Sequence, residues 1–300
     1  MKIVLHFDGS EALRARVTAM GVELCPESDD TTFSKLLPDM EVLWHVLKPV
    51  TAEVIARAPK LRLIQKIGIG VNTIDLEAAR LRGIAVCNLP GTNSRAVAEM
   101  TLALMLACLR RLPDLHEAIR KTKGWYEAWQ LQDHLGEIGG RTVGLVGFGA
   151  VPKLLAPILQ AMGANVLFWS RSHRNAELEE LIAASDIVSL HLPLTGETAS
   201  IVDVRRMKRG AILVNTARGG LVDQDVLLAA LKSGHLSAAG LDVFAEEPLR
   251  PDHPLLLLKN VVCAPHLAWL TRETLERSLS VALENADRLQ KGFPLLHRVA

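Results

Sequence analysis

Short runs of Val, Ile and Leu recur along the chain, each followed by a longer stretch with helical spacing. This alternation constrains the fold more than any other feature. Strands are predicted at residues 2–7, 42–46, 63–66 and 84–88, and in a second series at 142–146, 165–170, 186–192, 211–216, 238–243 and 261–264. Helix-like segments lie between them, at 75–82, 152–162, 176–184 and 224–233. A continuously apolar strand has no solvated face, so these runs imply parallel sheets covered by helices on both sides. Two series predict an α/β protein of two Rossmann-like or flavodoxin-like, doubly wound parallel-sheet domains. A long apolar helix at 93–111 leads out of the first series, and another at 271–290 follows the last strand of the second. That last helix has no strand series left to join, so it is expected to return to the first domain. The expected division is a discontinuous domain of 1–92 and 269–300 and a second of 93–268, with the active site in the cleft between them.

Composition narrows the function. Lys and Arg number 34 against 33 Asp and Glu, so no net field attracts nucleic acid or an anionic membrane surface. No stretch reaches the roughly 18 apolar residues of a membrane span, and the first strand is too short to be a signal peptide. Cys25, Cys87, Cys108 and Cys263 form no C-x-x-C pair, which fits buried thiols in a reducing compartment. A cytoplasmic protein without a metal centre is expected.

The strand at 142–146 runs into Gly147-Phe148-Gly149-Ala150-Val151-Pro152 and then a helix. This is a dinucleotide-binding glycine turn lacking its last glycine. Gly147 permits the turn, Gly149 lets backbone approach a pyrophosphate, and the N–H groups of Ala150 and Val151 face the anion at the helix start. Pro152 is tolerated in a first helical turn. The domain of 93–268 is therefore the expected cofactor domain. An NAD site places an acid at the end of the next strand, about 20 residues on. Here that strand ends in Ser170-Arg171-Ser172-His173-Arg174. Ser170, Arg171 and Arg174 suit a 2′-phosphate, so NADP is expected over NAD.

The ordered series Gly68-Ile69-Gly70-Val71, Val97-Ala98-Glu99, His191-Leu192-Pro193, Asn215-Thr216-Ala217-Arg218-Gly219-Gly220, Gly240-Leu241-Asp242-Val243, Glu246-Glu247-Pro248 and Pro265-His266 resembles the D-2-hydroxyacid dehydrogenases. The resemblance implies interconversion of 2-keto acids and D-2-hydroxy acids with a nicotinamide cofactor. It implies that Arg218 clamps the substrate carboxylate and carbonyl, that His266 exchanges the proton, and that Glu247, set against the proline, supports the imidazolium. Singly, each residue also reads as a turn support, a helix cap or a core histidine. The family pattern further implies that Ile69 and Gly70 offer backbone N–H groups to the substrate. It also implies that Leu192, Pro193 and Ala217 line the cofactor and that Asp242 binds the carboxamide. Asn93 reads equally as a substrate contact or a helix N-cap. Trp269 reads equally as a cap over the substrate side chain or as packing, and Trp44 as core.

Ser170-Arg171-Ser172 together with Ala268-Trp269 resembles the glyoxylate and hydroxypyruvate reductase branch, implying NADPH-dependent reduction of a small 2-keto acid. Phenylpyruvate-like substrates, formate or phosphite oxidation, and a nicotinamide-sensing, protein-binding scaffold share the same fold. The resemblance also implies a homodimer through the cofactor domain, using the helix after Asn93 and residues 125–135.

Overall fold

Strands β1 (Ile3–His6), β2 (Val22–Cys25), β3 (Val42–His45), β4 (Leu63–Lys66) and β5 (Ala85–Cys87) form a parallel sheet in the order β2-β1-β3-β4-β5. The computed structural model describes residues 1–121 and 124–300. Helices α1 (Glu11–Ala19), α2 (Asp30–Leu36), α3 (Ala52–Ala56) and α4 (Leu76–Leu81) connect these strands. Their starts are set by side-chain caps. Ser10, Asp29, Thr51 and Asp75 each accept a backbone N–H from the first turn. β1, β3 and β4 are buried along their whole length, as parallel strands covered on both faces must be.

Strand β2 was not expected from the sequence. It is a four-residue edge strand whose exposed Glu23 interrupts the apolar run. The register sets Cys25, His6, His45 and Lys66 side by side on the last rung of four adjacent strands. All four are buried.

The chain leaves this sheet through α5 (Ser94–Arg110), followed by α6 (Leu112–Ile119) and α7 (Gly124–Ala128). The second sheet contains β6 (Thr142–Val146), β7 (Asn165–Trp169), β8 (Ile187–Leu190), β9 (Ala211–Asn215), β10 (Leu236–Leu241) and β11 (Val261–Cys263). It is parallel throughout, in the order β11-β10-β9-β8-β6-β7. Helices α8 (Ala150–Ala161), α9 (Leu178–Ala184) and α10 (Gln224–Lys232) cross between strands. Strand order reverses between β6 and β8, the point where open α/β sheets bind ligands beyond their carboxyl ends. Helix α8 begins two residues earlier than the sequence suggests, so Pro152 is its third residue, buried within the first turn.

Helix α11 (Arg272–Lys291) returns to the first unit. Asn285 on α11 donates to Gln65 of β4 (2.7 Å) and accepts from the N–H of Leu296 (2.7 Å). The tail then runs along β5, where Val86 donates to the Ala300 carbonyl (3.0 Å). The chain thus divides into Met1–Asn93 with Thr271–Ala300, and Ser94–Leu270. Asn93 falls in the first unit and Trp269 in the second, a shift of one or two residues from the sequence estimate. The changes of unit coincide with the starts of α5 and α11, where Thr271 is the cap. Among the described residues no helix is long and apolar enough to cross a membrane.

Candidate active site

The loops beyond the carboxyl ends of β9, β10 and β11 carry Arg218, Glu247 and His266, the residues expected to do chemistry. After β9 the chain makes a tight turn through Thr216 and Ala217 to Arg218. Asn215 folds this turn: its Oδ1 accepts from the Ala217 N–H (3.0 Å) and its Nδ2 donates to the Arg218 carbonyl (2.9 Å). Gly219 follows, and a Cβ built there would lie 1.9 Å from the Phe244 carbonyl carbon. Only glycine lets the Arg218 turn settle against the loop that leads to Glu247.

Glu247 is held at both oxygens. Oε1 accepts from the Phe244 N–H (2.9 Å) and Oε2 meets His266 Nδ1 at 2.6 Å. Burial alone would raise this carboxyl. The His266 hydrogen bond and charge, the Phe244 N–H and the charge of Arg218 together outweigh burial and hold it below its ordinary range. Burial in turn pulls the Arg218 guanidinium down, opposed by the charge of Glu247. Arg218 Nη1 donates to the Ala217 carbonyl (2.6 Å). Arg218, Glu247 and His266 therefore lie within one electrostatic cluster of the second unit.

His266 sits at φ 56°, a left-handed conformation uncommon for a residue with a side chain. Such positions persist where the surroundings over-determine them, and here Asp242 does so. The Asp242 carbonyl accepts from the His266 N–H (2.8 Å), its Oδ1 from Leu267 (2.8 Å) and its Oδ2 from Ala268 (2.9 Å). Burial raises the Asp242 carboxyl against the pull of these N–H groups. Both carboxylate oxygens thus anchor the histidine turn, a role the sequence did not indicate. Trp269 continues this turn and is buried.

The glycine turn lies at the reversal point of the sheet. Gly147 has φ 101°, and a Cβ there would meet the His191 carbonyl oxygen at 2.6 Å and the Leu192 nitrogen at 3.1 Å. The turn is therefore pressed against the end of β8, beside Leu192 and Pro193. Burial pushes His191 down to about 3, so its imidazole is neutral. Gly149 differs: its φ is −85°, and nothing lies within 4 Å of a built Cβ. As the N-cap of α8 it offers no side chain to the first-turn donors. Pro152 lacks an N–H, so Ala150 and Val151 present theirs at the positive end of the helix. An open cradle above uncapped donors fits the pyrophosphate of a dinucleotide.

At the end of β7, Ser170 Oγ accepts from the His173 N–H (3.0 Å) and donates to its carbonyl (2.7 Å), closing a tight loop. Arg171 pairs with Glu197, and Arg174 with Glu177 at 3.0 Å. These acidic partners were not anticipated from sequence. Glu197 stands 26 positions from Arg171, and no local pattern links them.

Ile69, Gly70 and Asn93 belong to the first unit. Asn88 Nδ2 donates to the Ile69 carbonyl (3.0 Å). Asn93 Oδ1 is buried without a hydrogen-bond partner, so it does not cap α5. Trp44 is fully buried in β3. Among the described residues, no group of three His, Cys, Asp or Glu side chains is arranged to hold a metal ion.

Residues 102–268 match the family profile of the D-isomer specific 2-hydroxyacid dehydrogenase NAD-binding domain. A glyoxylate reductase of Korarchaeum cryptofilum is 41% identical over 258 residues, covering 81% of this chain and 77% of that protein. A D-3-phosphoglycerate dehydrogenase of Archaeoglobus fulgidus is 39% identical over 264 residues, 83% of this chain but 49% of that longer protein. The crystal structure of the TT0316 protein from Thermus thermophilus superposes over the full length of both chains, with TM-score 0.88 and 37% identity. The chain belongs to the D-isomer specific 2-hydroxyacid dehydrogenase family.

Proposed function

We propose that this chain reduces a small 2-keto acid, glyoxylate or hydroxypyruvate, to the 2-hydroxy acid, with NADPH as reductant. The observation that carries this reading is the Glu247–His266 contact of 2.6 Å within reach of the Arg218 charge. Arg218 is the proposed clamp, its planar fork holding the substrate carboxylate and carbonyl together. The N–H groups of Ile69 and Gly70, and the amide of Asn93, are the proposed neutral partners of the substrate. NADPH, when bound, supplies the hydride that adds to the carbonyl carbon. His266 Nδ1 is committed to Glu247, so Nε2 gives the proton that converts the developing alkoxide to a hydroxyl. Glu247 fixes the orientation of the ring through Nδ1.

The NADP preference rests on the end of β7. Its two arginines have side chains at least half exposed, in ion pairs with Glu197 and Glu177. Exposed pairs of this kind are worth only about 0–1 kcal/mol, so a dianionic 2′-phosphate can displace the carboxylates at little cost. Ser170 shapes the loop, while Ala217 and Asp242 are the proposed neighbours of the nicotinamide. The substrate choice draws on the glyoxylate reductases at about 40% identity.

The proposed assembly is a homodimer through the second unit. Trp125, Tyr126 and Trp129 are 59%, 77% and 68% exposed. Trp125 and Trp129, with Leu115, Ile119 and Leu135, line an apolar groove of about 410 Å³. An exposed aromatic patch of this kind marks an interaction surface. Cys25, Cys87 and Cys108 are buried as expected, whereas Cys263, at the end of β11, is exposed; four free thiols suit the reducing cytoplasm.

The test follows the absorbance of reduced cofactor with glyoxylate, hydroxypyruvate, pyruvate and phenylpyruvate, each against NADPH and NADH. Turnover of glyoxylate or hydroxypyruvate with NADPH well ahead of NADH supports the reading. Cofactor binding without turnover of any keto acid refutes it and favours a nicotinamide-sensing scaffold.

A further inference from the structure

Two buried polar side chains stand at the ends of neighbouring strands, yet neither Asn215 nor Asp242 is needed as a proton donor or carboxylate clamp. They are 2% and 1% exposed. Asn215 spends its amide oxygen on the Ala217 N–H and its amide nitrogen on the Arg218 carbonyl. Asp242 spends both carboxylate oxygens on the turn carrying His266. The two are joined, because the Asp242 N–H donates to the Asn215 carbonyl (2.9 Å). One hydrogen-bonded array therefore runs from the turn that presents Arg218 to the turn that presents His266.

The geometry assigns Asn215 as a positioning residue that fixes Arg218 in register with His266. This rests on the reading of Arg218 and His266 given above. The chemistry of the position explains why an amide stands there. One partner is a donor and the other an acceptor, and an amide meets them with acceptor and donor on two separate atoms, where a hydroxyl has one oxygen for both and a carboxylate has no donor. A carboxylate would set like against like at the Arg218 carbonyl. Gly219 already lies against the Phe244–Ala245 peptide, so a released turn has room to move only away from the Glu247 loop. A displacement of about 1 Å in a clamp residue is enough to cost on the order of 100-fold in rate.

The experiment uses the full-length protein saturated with NADPH. Oxamate, a carboxylate shaped like a small keto acid, is titrated calorimetrically into wild type, Asn215→Ala and Asn215→Asp. KM and kcat for glyoxylate and the thermal midpoint are measured on the same preparations. The aspartate variant preserves volume and the acceptor for Ala217 but loses the donor to Arg218, so it reads the proposal even where alanine impairs folding. The expected result is a rise of tenfold or more in both the oxamate Kd and the glyoxylate KM for each variant. Oxamate Kd and glyoxylate KM within twofold of wild type, with a lowered thermal midpoint, would reduce Asn215 to a structural residue and overturn the assignment. Wild type that neither binds oxamate nor turns over glyoxylate overturns the underlying reading of the site, and with it this assignment. That failure shows in wild type alone.

Discussion

The two glycines of the β6–α8 turn make a paired prediction, because the same substitution meets opposite surroundings. Gly147→Ala places a methyl group 2.6 Å from the His191 carbonyl oxygen at a backbone φ of 101°. Left-handed backbone costs a residue with a side chain about 1–2 kcal/mol, and forcing a group into packed surroundings adds about 1–3 kcal/mol. The expected loss is roughly 2–5 kcal/mol, and at about 2–4 °C per kcal/mol this lowers Tm by roughly 4–20 °C. Gly149→Ala meets nothing within 4 Å, at a φ of −85°. It leaves Tm unchanged or raises it slightly, since alanine restricts the unfolded chain by about 0.4–1 kcal/mol. The open space it fills is where the pyrophosphate is proposed to lie, so its NADPH Kd rises at least tenfold. Thermal denaturation of the cofactor-free proteins and fluorescence titration with NADPH read the two effects separately. A Gly149→Ala protein that binds NADPH like wild type, or that loses as much Tm as Gly147→Ala, refutes the cradle.

Three further outcomes are expected. Burial, with the charge of Lys48 adding to it and Asp30 and Asp8 opposing, pushes His6 down to about 4. His45 is lowered by burial and by Lys66 and His6. The unfolded chain therefore takes up protons first as pH falls, so stability is full above about pH 6.5 and is lost between there and pH 4. At pH 5 the His6 share is about 2 kcal/mol. Urea denaturation of His6→Leu at pH 7.5 and 5 should show that much less acid loss than wild type, and an unchanged difference refutes it. Ser170→Asp with Arg171→Ala should move the ratio of kcat/KM for NADPH over NADH toward NADH by tenfold or more; a ratio that stays put mislocates the 2′-phosphate site. Trp129→Asp should shift the protein from dimer to monomer in sedimentation velocity, and a dimer that persists places the interface elsewhere.

The strand series and the glycine turn were legible because apolar runs and the G-x-G spacing are local in sequence. The long helices were legible for the same reason, and α11 returned to the first unit because no strand remained for it in the second. The edge strand β2 was not, since four residues broken by Glu23 do not stand out from a loop. Arg218, Glu247 and His266 stood out through motif order, and the fold brings the three into one charged cluster. What holds them was hidden. The bonds from Asn215 to the Ala217–Arg218 turn and from Asp242 to Leu267 and Ala268 depend on where distant backbone lands, not on residue type. The same holds for Glu197 on Arg171. Asn93 shows the converse: its type and place before α5 suggested a cap, yet its side-chain oxygen bonds to nothing.

The central claim is that His266 delivers the proton in reduction of a 2-keto acid. Its most direct test is the turnover of glyoxylate by His266→Ala at saturating NADPH, beside a fluorescence titration of the cofactor. The account predicts a loss of roughly 10²–10⁴-fold in kcat with the NADPH Kd within twofold of wild type. Turnover within tenfold of wild type would contradict it and move the proton donor to another group.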